Sequence, residues 1–393
     1  MQQKTGRAVN APIIALLVCM YAIVAMSDNY KGIFVPTFKE SFHVSNTKIG
    51  YLMTVSLLAY AVFQYFGGML IEKLGYKRVI LTGSLLAMTA LTLIVFCNGY
   101  LMLLAGMFVL NAGMALFNVT VSTLGPALTV ASTAILMNMI VASYSASNTV
   151  LQQVSGILLA KGISWQSFYA FMFVCLAVLC LWLMLIKIPY RPQVSMDAKP
   201  INKNAIFKNK MLYLYVLVAA FYLGTEYGMG SWLVNYMSEC YHLAADERAI
   251  YMTIFVGIRT VSLLLGGFVS DRLGLYKSIM VYAGVGTVLL GTGIAMGQSG
   301  LIIISIGGVA FAVIFPAIIS SIKTVFREST SYATGFILMG GTLGAMCIST
   351  SMGVLNDVIG AQNAFYLMPL CMLMTLVMTL RIRAKTAPVD KEF

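Results

Sequence analysis

Four ionisable side chains, Asp28, Lys31, Glu226 and Arg259, fall inside stretches that are otherwise apolar for about 20 residues. Charge in such surroundings is costly and is retained where it binds, pairs or moves something. The two acids could take up and release a proton, because desolvation favours the neutral form of a carboxyl group. The two bases could hold a carboxylate, and the guanidinium of Arg259 would do so in fork geometry. Purely structural pairings are also open: Asp28 with Lys31 at i,i+3, and Glu226 with Arg259 across two segments. Lys31 lies near the end of its segment, where a long side chain can reach the interface. Arg259 lies about 11 residues into its own, near mid-membrane at 1.5 Å per residue.

Neutral polar residues recur at helical spacing around these charges. Asn111 and Asn118 are i,i+7 and share a face; Asn148 and Gln152 are i,i+4, with Tyr144 one turn earlier. Asn29 adjoins Asp28, and Tyr222 precedes Glu226 by four, with Trp232 and Asn235 further along the same segment. Amides donate and accept, and aromatic rings stack on C–H faces, so such a lining suits a hydroxylated ligand. The same amides could instead tie membrane helices together. The expected substrate contacts are Asn29, Lys31, Asn111, Asn118, Tyr144, Asn148, Gln152, Tyr222, Glu226, Trp232 and Arg259. Asp28 and Glu226 are the expected proton-coupling acids, Asp28 as the coupling group and Glu226 as the substrate contact.

Little else in the chain could do chemistry. The two histidines, His43 and His242, fall in short loops far apart in sequence, and no HExxH, GxSxG or P-loop spacing is present. No enzyme, no metal site and no cofactor is therefore expected. The seven cysteines lack CxxC spacing and read as small apolar residues without disulfides.

The elements that must position these groups are membrane spans. The chain has 393 residues, 60% hydrophobic and 10% charged, against about a quarter charged in soluble domains. Twelve apolar segments are expected, at about 11–37, 48–71, 78–97, 101–124, 134–160, 166–188, 211–237, 249–270, 277–297, 300–322, 332–355 and 363–381. The first is as long as the rest and lacks a small-residue cleavage site, so it reads as a retained helix. If both termini face the cytoplasm, only four of the 25 Lys and Arg residues (Lys39, Lys48, Lys161, Arg248) fall in outer loops. Two more, Lys31 and Arg259, lie within spans, and the remaining 19 are cytoplasmic, as the positive-inside rule requires. The net charge of +12 thus reflects topology and points to a lipid bilayer, not to nucleic acid. The one long polar stretch, 189–210, divides the chain into bundles at 1–188 and 211–393 and reads as a cytoplasmic linker.

The two halves repeat one another. FGGMLIEKLGYKRVI (66–80) and LGGFVSDRLGLYKSIM (265–280) align over Gly67/Gly266, Gly68/Gly267, Glu72/Asp271, Lys73/Arg272 and Gly75/Gly274, 199 residues apart. One inserted residue then restores Lys77/Lys277. This turn resembles the cytoplasmic loop signature of the major facilitator superfamily, found between the second and third helix of each six-helix half. The resemblance implies an all-α membrane protein of twelve transmembrane helices, in two pseudo-symmetric six-helix bundles around a central cavity. It also implies a cytoplasmic gate built from Gly68, Glu72, Lys73, Gly75, Lys77, Gly267, Asp271, Arg272, Gly274 and Lys277. Within that superfamily, TEYGMGSWLVNYM (225–237), GIR (257–259) and the FP at 315–316 look like the fucose/galactose/hexose proton symporter branch. Two positions depart from that branch: Asp28 stands eight residues before Pro36, and the first loop acid is Glu72 in place of Asp.

Duplicated halves that rock about a midplane site are the architecture of secondary transporters. The expected function is proton-coupled uptake of a small polar solute such as a sugar, by a monomer in the cell membrane. Symport or exchange of an organic anion stays open because of Lys31 and Arg259, drug efflux less so, and a membrane sensor least. The coupling ion could also be other than a proton.

Overall fold

The computed structural model describes residues 2–128, 133–188, 207–326 and 330–386, and every regular element among them is a helix. Within hydrocarbon each backbone N–H and C=O must find a partner inside its own segment, which an α-helix provides. The first half holds α1 (Gln2–Ile33), α2 (Val35–Phe42), α3 (Asn46–Leu74), α4 (Tyr76–Val95), α5 (Tyr100–Ala127), α6 (Thr133–Ala160) and α7 (Trp165–Leu185). The second holds α8 (Lys210–Tyr241), α9 (Ala245–Leu273), α10 (Leu275–Ala295), α11 (Leu301–Ile306), α12 (Ile314–Phe326), α13 (Thr330–Ile359), α14 (Ala361–Phe365) and α15 (Leu367–Thr386). Among the described residues, eleven helical segments are long and apolar enough to cross a membrane. The remaining expected segment, 134–160, is the 28-residue helix α6. The linker expected at 189–210 lies outside the described residues as far as 206.

Proline and glycine account for the departures from simple spans. The helix break at Phe34 precedes Pro36, whose ring nitrogen cannot donate to the preceding turn. The stretch 300–322, expected as one segment, is split by a 3₁₀ turn over Gly307–Phe311 between α11 and α12. A Cβ on Gly308 would stand 2.2 Å from the Phe255 carbonyl oxygen, so a bare backbone is what lets this turn touch α9.

The molecule comprises two compact units, 1–44 with 52–196, and 45–51 with 197–393. In the first, α1 packs on α5, α6 and α7, and α4 packs on α5 and α7. A block of rings, Tyr30, Phe34, Phe38, Trp165, Phe168 and Tyr169, joins α1 and α2 to α7 with centroids 5.1–6.1 Å apart. In the second, α8 packs on α13 and α15, α10 on α12 and α15, and α9 on the 3₁₀ turn and α11. Gly341 and Gly344 of α13 face Ala219 and Ala220 of α8, a small-residue seam. The first turn of α3 groups with this unit because the Asp357 carboxylate accepts from the Asn46 and Thr47 amides, at 3.0 and 2.7 Å. Those are helix-end donors with no partner inside their own helix.

Candidate functional site

In the first unit the polar residues of α1, α5 and α6 form two clusters. Asp28 centres one. The Lys31 ammonium donates to Asp28 Oδ1 at 2.8 Å and to Asn111 Oδ1 at 2.8 Å. Asn111 in turn donates through Nδ2 to the Met107 carbonyl at 2.7 Å, which fixes the amide with its oxygen toward Lys31. The Tyr144 hydroxyl donates to the other Asp28 oxygen at 3.1 Å, and its ring stands edge-on to Tyr21 at 6.0 Å. The Lys31 side chain is only 11% exposed, against 32% for Asp28. Lys31 therefore does not reach for the interface, as its place near a span end allowed; the nearby acid and amide hold it inward. Asn118 makes two long contacts, donating to the Tyr21 hydroxyl at 3.5 Å and accepting from the Ser122 hydroxyl at 3.5 Å.

The other cluster is a helix tie. Gln152 of α6 donates to Asn29 Oδ1, and Asn29 donates to the Ala25 carbonyl at 2.9 Å, with both side chains buried. Each thus satisfies the other across α1 and α6. Asn148 Oδ1 is buried without a hydrogen-bond partner among the described residues.

In the second unit Arg259 of α9 donates through Nη2 to Glu226 Oε1 of α8, so the cross-helix pairing open in the sequence is formed. Tyr222, one turn before Glu226, is fully buried and donates to the Phe311 carbonyl at 2.9 Å. Phe311 is the last residue of the 3₁₀ turn, where the break releases carbonyls from the α ladder. The Tyr222 ring stacks on Phe315 at 6.3 Å and 23°. Trp232 is also fully buried, with Nε1 3.4 Å from Ser349 Oγ. Both direct their polar atoms to protein partners. Asn235 donates to the Asn46 side chain at 3.1 Å.

The repeated loops keep their shape in both halves. Gly75 has φ +79° and Gly274 φ +80°, a left-handed region that glycine enters without steric cost. The first glycine of each pair packs closely. A Cβ on Gly67 would meet Leu116 at 3.2 Å and one on Gly266 would meet Val313 at 2.6 Å, whereas Gly68 faces open space. Glu72, Lys73 and Arg272 are exposed, while the side chain of Asp271 lies outside what the structure describes, as does the packing around Gly267. Lys77 donates to the Met184 and Ile186 carbonyls, at 3.1 and 2.9 Å, and so caps the end of α7. Lys277 makes no such bond among the described residues.

Sequence reasoning missed Tyr21, Phe311, Phe315 and Ser349. Tyr21 had a signal, since it precedes Asp28 by seven on one helix face. The carbonyl of Phe311 had none, because only the break in the tenth segment exposes it.

The family model of the Major Facilitator Superfamily matches residues 17–256 and 217–393. The chain belongs to that superfamily. It is a membrane transporter. The L-fucose-proton symporter of Escherichia coli (strain K12) is 24% identical over 411 residues, covering 95% of this chain and 93% of that one. The glucose/galactose transporter of Brucella abortus (strain 2308) is 22% identical over 391 residues, covering 94% and 92%. Among solved structures, a D-xylose-proton symporter aligns with a TM-score of 0.78 at 12% identity, over 95% of this chain and 97% of that one. A single-residue variant of the E. coli fucose:proton symporter aligns with a TM-score of 0.65 at 20% identity, over 95% and 99%. At these identities the structural likeness concerns the fold.

Proposed function

We propose that this transporter takes up a small hydroxylated solute of the sugar class together with a proton, by alternating access. The observation that carries the reading is the setting of Asp28: a partly exposed carboxylate between a flexible ammonium and a tyrosine hydroxyl. When Asp28 accepts a proton, Lys31 keeps Asn111 as a partner, so the pair can open without leaving the ammonium bare. Glu226 is gripped by a guanidinium that cannot give up its proton, which fits a substrate contact better than a proton carrier. The naming of full-length relatives as fucose and glucose/galactose transporters supports the solute class. Both intramembrane cations face a carboxylate of the protein itself, which disfavours the organic-anion reading.

Purified protein in liposomes with an imposed proton gradient tests this. Accumulation of a neutral sugar, lost in Asp28→Asn while solute exchange persists, is the expected result. Thermal stabilisation by carboxylates and by no neutral sugar would sink the reading in favour of an anion carrier.

The loop charges at 72–78 and 271–277 are proposed to close the cytoplasmic side, with both termini cytoplasmic and the protein a monomer in the cell membrane. Asp271→Asn should slow transport and leave binding intact. Single engineered cysteines at either terminus, in a background lacking all seven natural free thiols, would report the orientation by side-specific labelling.

A further inference from the structure

We propose that the Lys31 ammonium is a tethered cation occupying an oxygen-lined site of the alkali-metal kind, so that the wild-type protein needs no sodium ion there. The ammonium touches Asp28 Oδ1 and Asn111 Oδ1, both at 2.8 Å. The second Asp28 oxygen is held by the Tyr144 hydroxyl. The Asn111 amide cannot turn its NH₂ group inward without losing Met107, so it presents oxygen by construction. A carboxylate oxygen bearing the formal negative charge and an amide oxygen, brought from two helices, are the hard donors that face the ammonium. Oxygens of this kind replace the water shell of a monovalent cation. Lys31 comes from α1 itself, three residues after Asp28, so the cation is supplied by the same helix as its carboxylate.

Removing the side chain beyond Cβ should leave the oxygens around a space for a free cation. The test uses purified full-length protein without solute, so it is independent of the sugar reading and can fail or succeed separately from it. Melting temperature is followed against NaCl and LiCl, with choline chloride holding ionic strength constant. Lys31→Ala is expected to show a saturable rise of roughly 2–5 °C in sodium over choline. Methylammonium should reproduce the rise; wild type and Lys31→Ala/Asp28→Asn should show none. Lys31→Ser, which adds one oxygen, is the second variant and should respond likewise. Equal behaviour of Lys31→Ala in sodium and choline overturns the proposal. So does a sodium response in wild type, or failure of both variants to fold even in sodium.

Discussion

The two units each hold one carboxylate–cation pair, and the pairs are built differently. Asp28 and Lys31 stand three residues apart on α1, whereas Glu226 and Arg259 join α8 to α9. The first pair can open by rotation of one lysine chain, and its cation has a second partner waiting on α5. The second ties two helices together. The fourth segments differ in the same sense: α5 runs unbroken, while its counterpart is split by the 3₁₀ turn at Gly307–Phe311. A local pair suits a step that repeats in every cycle; a cross-helix pair, buttressed by Tyr222 on Phe311, suits a wall that must hold its shape. Duplication supplied two similar frames, and the intramembrane charges made them unequal.

That contrast can be broken at graded cost. The largest effect is expected from Gly308→Val. Its Cβ would stand 2.2 Å from a backbone oxygen, and such overpacking costs several kcal/mol when the neighbour cannot yield. Yield of monodisperse protein should collapse, while Gly68→Ala, facing open space, should leave it unchanged.

Next is the cross-helix pair. Arg259→Ala should destabilise by roughly 1–3 kcal/mol, below the cost for a fully buried pair because a third of Arg259 is exposed. Glu226→Gln/Arg259→Ala should recover most of that loss in melting temperature. Asp28→Asn should instead leave the melting temperature nearly unaltered and abolish gradient-driven accumulation. If Asp28→Asn proved the more destabilising change, the division into a working pair and a wall pair would be wrong.

Tyr222→Phe removes one buried hydrogen bond and orphans the Phe311 carbonyl, an expected loss of about 1 kcal/mol in thermal unfolding. The smallest effect is at the repeated loops. Lys77→Ala uncaps α7 and should cost about 0.5–1 kcal/mol. Lys277→Ala, without that bond among the described residues, should cost nothing measurable in the same assay.

Much of this was legible in the chain itself. Hydrophobic run length dictates helices in a bilayer, because no other open structure satisfies its own backbone there. The repeated Gly-rich turn marks the duplication, and the matching positive φ of Gly75 and Gly274 follows from their lack of a Cβ. The four intramembrane charges were visible as outliers, and the i,i+3 spacing of Asp28 and Lys31 already made that pair possible. What tertiary structure decided is which polar atoms remain available. The meeting of α1 and α6 makes Asn29 and Gln152 each other's partner. Phe311 and Ser349 likewise take the donors of Tyr222 and Trp232. Periodicity assigns a residue to a face of its helix, but hydrogen bonding is settled by what the neighbouring helix brings to that face. That pairing depends on contacts between segments 80 or more residues apart, and the turn that exposes the Phe311 carbonyl forms only where Gly308 lets α9 come close.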